Sequence, residues 1–321
     1  MRICVFGAGA VGGNLAVRLA LAGNEVSLVA RGAALAAINA DGLQVLAGDD
    51  VLEARLSASD DPASLGAQDA VIVAAKAHQP PAFAATAAPL LHRDTLVVFA
   101  QNGIPWWYPA AGLQPLLDPD GAVEHVVGRE RSTGAVIYSA NAKLAPNIIR
   151  NTSPQRNRLT IGAVDPGSQA RVAQLRRVLR AAGIESPDTD DLRAAIWQKL
   201  IGNASVSVLS FLDERTSREV FDDAWLGPAG AAIAEELAAV ARAEGLAVDA
   251  ARAAPAPGHF SSMLQDSRAG RPIEAAALLT APQMIARQHG IATPCFDLLC
   301  GLAYGKAARL QARARATADL G

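Results

Sequence analysis

RICVFGAGAVGGNLAVRLALAGNEVSLVAR, residues 2–31, decides the fold. Five mostly apolar residues, 2–6, read as a short strand. A glycine cluster follows at 7–13, and then Leu15, Val17, Leu19 and Leu21 continue in a helical pattern that Gly23 ends. EVSLVA is a second strand, so the stretch is one βαβ unit. Within it Gly7, Gly9 and Gly12 form GxGxxG directly after the strand and at the start of the helix. The first glycine permits a tight turn, the second lets backbone approach a diphosphate, and the third lets helix and strand pack closely. Gly7, Ala8, Gly9, Ala10, Val11 and Gly12 are therefore the expected cofactor-binding turn, whose helix start supplies N–H donors and positive potential to an anion.

Outward from this unit the strands continue. A hairpin is expected over 43–56, with further strands at 70–77, 95–103 and 122–128, each bounded by turn residues. That order predicts an α/β, Rossmann-type doubly wound sheet. Short antiparallel strands are expected between 133 and 162 and a helix over 169–182. From about residue 190 the sequence is alanine-rich and helical, which predicts a second, all-α domain. The boundary is placed at 188, with a dinucleotide-binding domain over 1–188 and a helical substrate and catalytic domain over 189–321.

A formal net charge of −2, with cations and anions interspersed, offers no footprint for nucleic acid or acidic lipid. No apolar run approaches the roughly 20 residues that span a bilayer. The opening strand leaves no room for a secretion signal, so a cytoplasmic protein acting on a small molecule is expected. Cys4, Cys295 and Cys300 are scattered and read as reduced residues, and no ligand-type residues stand at metal-site spacing.

The second strand indicates which dinucleotide. NAD sites usually place a carboxylate there for the ribose 2′-hydroxyl, whereas this strand ends Val29-Ala30-Arg31. The Arg31 guanidinium can make paired bonds to a 2′-phosphate, which favours NADP(H), and Lys76 at the end of the 70–77 strand is a second phosphate candidate. Both cations also suit a solvated surface.

IWQKLIGNAS, residues 196–205, is apolar almost all round as a helix, yet Lys199 and Asn203 share one face and Ser207 extends it. The lysine must either run its stem to water, with Asp190 or Asp191 as partner, or hold its charge against something placed to meet it. Ser262 with Gln265 has the spacing of a capping box. Glu274, two residues after Pro272, could pair with Arg271.

GAGAVGG, Lys76, QNG at 101–103, W-x-K-L-x-x-N at 197–203 and SSMLQDxxxGRxxE at 261–274 occur in this order. Together they resemble the ketopantoate reductases (2-dehydropantoate 2-reductases) over nearly the whole chain. The resemblance implies NADPH-dependent reduction of a 2-keto acid in a cleft between a Rossmann domain and a helical domain. It makes Lys199 the general acid and directs Glu274 toward Lys199 and the nicotinamide. Asn102, Asn203, Ser207 and Ser262 become substrate contacts, with Ser262 on the carboxylate. Asn102, Ala135 in the run Ser132-Thr133-Gly134-Ala135, and Glu274 also contact the cofactor. A homodimer is the assembly carried with this reading.

The chain departs from the family in Ala275-Ala276-Ala277-Leu278-Leu279-Thr280, where an acid and an amide are usual, and in Pro282, expected to interrupt or kink a helix. Ser207 replaces an asparagine. Trp106, Trp107 and Tyr108 follow QNG and would suit the rim of a site for a bulkier keto acid. A reductase acting on another 2-keto acid, and an NADPH-binding sensor without turnover, both remain open.

Overall fold

The computed structural model describes residues 1–74, 80–189 and 191–318. Eleven strands are found among them: β1 (Arg2–Phe6), β2 (Glu25–Val29), β3 (Leu43–Ala47), β4 (Asp50–Ala54), β5 (Ser57–Ser59), β6 (Ala70–Val73), β7 (Leu96–Phe99), β8 (Ser132–Tyr138), β9 (Asn141–Ala145), β10 (Ile148–Asn151) and β11 (Arg158–Ala163). Apart from the exposed Arg2 that opens β1, the strands β1, β6 and β7 are runs of Val, Ile, Leu, Phe, Cys and Ala buried on both faces, as the middle of a parallel sheet requires.

The main sheet has the order β11-β8-β7-β6-β1-β2-β5, parallel except for β11, which runs antiparallel to β8. Val5 faces Leu28 on one side and Ile72 on the other. The order moves outward in opposite directions from β1 and β6, so the crevice at their C-terminal ends is the switch point where such sheets bind ligands. Helices α1 (Ala10–Leu21), α2 (Gly32–Asp41), α3 (Pro80–Ala87) and, beyond the short α4 (Gln114–Leu117) and α5 (Ala122–Val126), α6 (Gln169–Ala181) connect the strands or follow them.

A second, four-stranded sheet, β4-β3-β10-β9, packs against α1. The hairpins at 43–54 and 141–151 are joined by parallel pairing of β10 with β3, Ile149 opposite Val45. Gly13 permits the approach, since a Cβ there would lie 2.1 Å from Ile149. A buried amide knot secures it. The Asn157 side-chain oxygen accepts from Asn14 (3.2 Å), Asn151 (2.6 Å) and Ser139 (2.9 Å), so helix, hairpin and strand meet at one acceptor.

The strand expected over 122–128 is instead α5. Both Asp118 carboxylate oxygens accept from its first turn, from Val123 N (3.1 Å) and Glu124 N (3.0 Å), and β8 takes the place beside β7. The local β-branched residues were outweighed by this cap.

Compact units comprise Met1–Trp107 with Asp118–Leu192, and Tyr108–Leu117 with Arg193–Gly321. The second is helical: α7 (Leu192–Asp213), α8 (Ser217–Asp222), α9 (Leu226–Ala243), α10 (Ser262–Arg268), α11 (Ala281–Gln288) and α12 (Pro294–Ala318). Its excursion at 108–117 is tied in by Tyr108, whose hydroxyl accepts from Trp197 Nε1 (2.7 Å) and donates to Glu244 (2.9 Å), and by Gln288 Nε2 on the Ala111 carbonyl (2.6 Å). Trp106 and Trp107 are 4% exposed, so they belong to the core rather than to a rim. Trp106 meets Phe99 edge to face, and Trp107 occupies the space that Gly134 leaves open.

Pro282 does not end its helix. Residues Ala276–Thr280 form a π-helical turn that runs directly into α11. A proline inside an α-helix lacks the N–H and presses on the carbonyl four residues back, here Leu278, and a wider turn accommodates both defects.

Asn157→Ala would leave the buried Asn14 and Asn151 amides short of an acceptor. Chemical denaturation is expected to show a loss of about 2–4 kcal/mol.

Candidate active site

In the α/β unit the glycine turn lies at the C-terminal end of β1. Gly7 has φ +115°, a conformation that favours glycine, and a Cβ on Gly12 would stand 2.1 Å from the Gly7 carbonyl oxygen. Gly9 differs: a Cβ there would meet nothing within 4 Å. Ala8, Ala10 and Val11 are partly exposed and Gly9 is exposed. Gly9 is also the N-cap of α1, where no side chain caps the helix and no acidic residue stands in the first turn. Open space against uncapped N–H donors fits the diphosphate of a dinucleotide.

Arg31 is exposed at the N-cap of α2, just beyond β2. Asn102 follows β7 on the same edge of the sheet and is partly exposed. Ala135 is buried within β8, opposite Ile161 and one step past the last pairing with β7. Lys76 lies outside the described residues.

In the helical unit, Trp197, Leu200, Ile201 and Ala204 are 0–1% exposed, whereas Lys199, Asn203 and Ser207 remain partly accessible on successive turns of α7. Enough protein surrounds the Lys199 ammonium that desolvation lowers its pKa from 10.5 to about 8, while the buried Glu274 carboxylate pulls it back up. Lys199 and Glu274 thus interact electrostatically, and Glu274 supplies a charge of the sign that a lysine in this helix calls for. Arg271, the alternative partner for Glu274, is engaged by Asp266 at 2.9 Å, and its backbone N–H donates to the Asp266 carbonyl.

The cap of α10 is Ser261, not Ser262. Its buried hydroxyl accepts from Leu264 N at 3.3 Å and donates to the Ser207 carbonyl at 3.1 Å. The start of α10 is thereby fixed to the Lys199–Asn203–Ser207 strip, and Ser262, one position inside the helix, is exposed. The two serines are adjacent and chemically alike, so the motif alone could not separate them.

Sequence reasoning missed what lies beneath the strip. Trp197, two residues before Lys199, donates to Tyr108, Tyr108 to Glu244, and His289 binds the other Glu244 oxygen. Burial pushes the Tyr108 phenol up, which keeps it a neutral donor. These partners come from four separate stretches of chain, so no local pattern announces them.

A doubly wound sheet with an uncapped glycine turn, followed by a helical unit that presents a desolvated lysine against a carboxylate, defines a nucleotide-dependent oxidoreductase. Two family models match, ketopantoate reductase PanE/ApbA over residues 3–166 and its C-terminal counterpart over 191–307. The 2-dehydropantoate 2-reductase of Mesorhizobium japonicum is 36% identical over 316 residues, covering 94% of this chain and 96% of that one. That of Halobacterium salinarum is 28% identical, covering 94% and 97%. Among solved structures, the PanE/ApbA family ketopantoate reductase from Ralstonia eutropha matches with a TM-score of 0.80 at 26% identity, covering 97% of this chain and all of that one. The chain belongs to the ketopantoate reductase family of oxidoreductases. A D-mandelate dehydrogenase solved with NADH and anilino(oxo)acetate shares the fold, at TM-score 0.83 and 23% identity over 97% of this chain.

The two glycines separate stability from binding. Gly12→Ala is expected to cost about 2 kcal/mol or more in thermal unfolding, through overpacking. Gly9→Val should leave the melting temperature nearly unchanged while weakening nucleotide binding at least about tenfold in titration calorimetry, because only a ligand would meet the new side chain.

Proposed function

We propose that the protein catalyses NADPH-dependent reduction of a 2-keto acid to a 2-hydroxy acid, with 2-dehydropantoate, giving pantoate, as the first substrate to test. The observation that carries this reading is the Lys199 ammonium, desolvated on α7 and held by Glu274, in a chain of the ketopantoate reductase family. Arg31, exposed where a carboxylate would select NAD, supports NADPH over NADH. No described helix is long and apolar enough to cross a membrane, which is compatible with work on the cytoplasmic NADPH pool.

A nicotinamide cofactor held at the glycine turn would supply the hydride. What the chain itself must do is meet the charge that appears on the carbonyl oxygen, and Lys199 can hydrogen-bond that oxygen and then give it a proton. A pKa of about 8 makes the ammonium a better acid than an ordinary lysine, yet leaves it mostly protonated at neutral pH. Glu274 opposes the desolvation and so keeps the proton in place until transfer. The neutral amine left behind is reprotonated from water. Asn203 can donate to a substrate oxygen from the next turn, Ser262 can hydrogen-bond the substrate carboxylate, and Asn102 can position cofactor and substrate from the sheet edge.

A second reading, another 2-keto acid, draws on the absence of the usual acid and amide after Glu274. Ala277, Leu278 and Leu279 are buried and serve packing, so this reading rests on Ala275 and Ala276, which are partly accessible.

NADPH oxidation across a panel of 2-keto acids is expected to be fastest with 2-dehydropantoate. No turnover with any of them would favour a non-catalytic NADPH-binding protein. Because the protonated lysine is the active form, kcat should be flat below pH 8 and fall about tenfold per unit above it. Glu274→Gln, which removes the opposing charge, should move that limb to lower pH. Lys199→Ala should lower kcat by roughly 10²–10⁴ with little change in NADPH affinity. Lys199→Met is expected to stabilise the fold by roughly 1–3 kcal/mol at neutral pH. A cation whose folded value lies below its unfolded one weakens the fold most below pH 8, and the penalty fades as pH rises toward 10.5.

A further inference from the structure

Four lysines stand among the 29 Lys and Arg residues of the chain: Lys76, Lys143, Lys199 and Lys306. Lys143 has no motif around it and sits on β9, at the edge of the smaller sheet. The pairing of β10 with β3 folds this hairpin over α1 and brings the lysine to the glycine turn, where its Nζ donates to the Ala8 carbonyl oxygen at 2.9 Å. No carboxylate forms an ion pair with it among the described residues, and partial burial lowers its pKa. Around it lies an open groove lined by Ala33, Ala34, Lys143, Leu144, Ala145 and Pro146. Ala33 and Ala34 belong to the first turn of α2, immediately after Arg31, so the groove lies on the β2 side of the glycine turn, where ribose 2′ substituents are read.

We propose that Lys143 is a second ligand of the cofactor's 2′-phosphate, shared with Arg31. This rests on the NADP(H) reading above. A phosphomonoester carries a charge of roughly −1.5 to −2 near neutral pH, more than one guanidinium neutralises. The diphosphate is already served by the uncapped N-terminus of α1, while the 2′ position has Arg31 alone from the β2 loop. A lysine on an edge strand, anchored only to a carbonyl, has the reach and the three donors to turn toward a phosphate.

The test is titration calorimetry of the full chain and its variants with NADPH, NADH, 2′,5′-ADP and 5′-AMP. 2′,5′-ADP carries the 2′-phosphate without the diphosphate bridge, so it reports that contact alone. Lys143→Ala is expected to weaken NADPH and 2′,5′-ADP about tenfold, with less than about twofold change for NADH and 5′-AMP and an unchanged melting temperature. Lys143→Gln keeps a donor for the Ala8 carbonyl and should show the same loss, which separates charge from anchoring. Unchanged 2′,5′-ADP affinity in both variants would overturn the assignment and leave Lys143 as a pin for the hairpin. An equal loss of NADH and NADPH would overturn it in favour of a diphosphate contact or a distorted turn. If Arg31→Ala loses NADPH selectively while the Lys143 variants do not, this inference alone fails. If the unmodified protein binds NADH as tightly as NADPH and Arg31→Ala changes neither, the NADP(H) reading fails and takes this inference with it.

Discussion

The site depends on one unfavourable act, the removal of an ammonium group from water. α7 buries Trp197, Leu200, Ile201 and Ala204 on one face and carries Lys199 on another, where desolvation by the surrounding protein lowers the pKa of the lysine to about 8. An isolated cation so placed would lose its proton or escape to solvent. Glu274 opposes the loss of the proton by raising the pKa against the desolvation. The segment from α10 to Glu274 can then be understood as a bracket. Ser261 fastens its start to α7, Asp266 holds Arg271 and so leaves Glu274 to Lys199, and the π-helical turn lets the chain pass Pro282 into α11. Two residues before the lysine, Trp197 donates to Tyr108, which donates in turn to Glu244, and this chain of bonds anchors the helix that carries the ammonium.

The α/β unit works by the opposite means. Its site is made of what is left out: a side chain at Gly9, a cap on α1, a carboxylate after β2. Gly12 and Gly13, by contrast, put their missing side chains to use in packing, Gly12 beneath the turn and Gly13 beneath Ile149. The second sheet, held to α1 by the Asn157 knot, also delivers Lys143 to the turn. One unit therefore offers backbone donors and cations for an anion, and the other offers a tuned acid. The proposed reduction of a keto acid by NADPH would use each of these.

Much of this was legible in residues 2–31, because GxGxxG between an apolar run and a helical period leaves few alternatives, and β1, α1 and β2 form there. Lys199, Asn203 and Ser207 could be placed on one face because helical periodicity is local. Glu274 was assigned to Lys199 only by resemblance, since 75 positions separate them and neither spacing nor composition encodes that approach. The segment 122–128 misled because Val123, Val126 and Val127 favour a strand locally, while the deciding cap, Asp118, lies outside it. Trp106 and Trp107 misled for a different reason. Aromatic density marks cores and binding rims alike, and only packing against Phe99 and Gly134 distinguishes them. The joining of two hairpins through β3 and β10 spans about 100 residues of chain and left no trace in either hairpin, so the position of Lys143 was invisible in the sequence.

The enclosed ammonium can be observed directly. With four lysines in the chain, NMR of lysine labelled at the ε-carbon gives a small, assignable spectrum in which Lys199→Arg identifies the resonance. A Lys199 signal that titrates near pH 8 is the expected result; titration near the ordinary lysine value of 10.5 would mean that the group is solvated and would contradict the account.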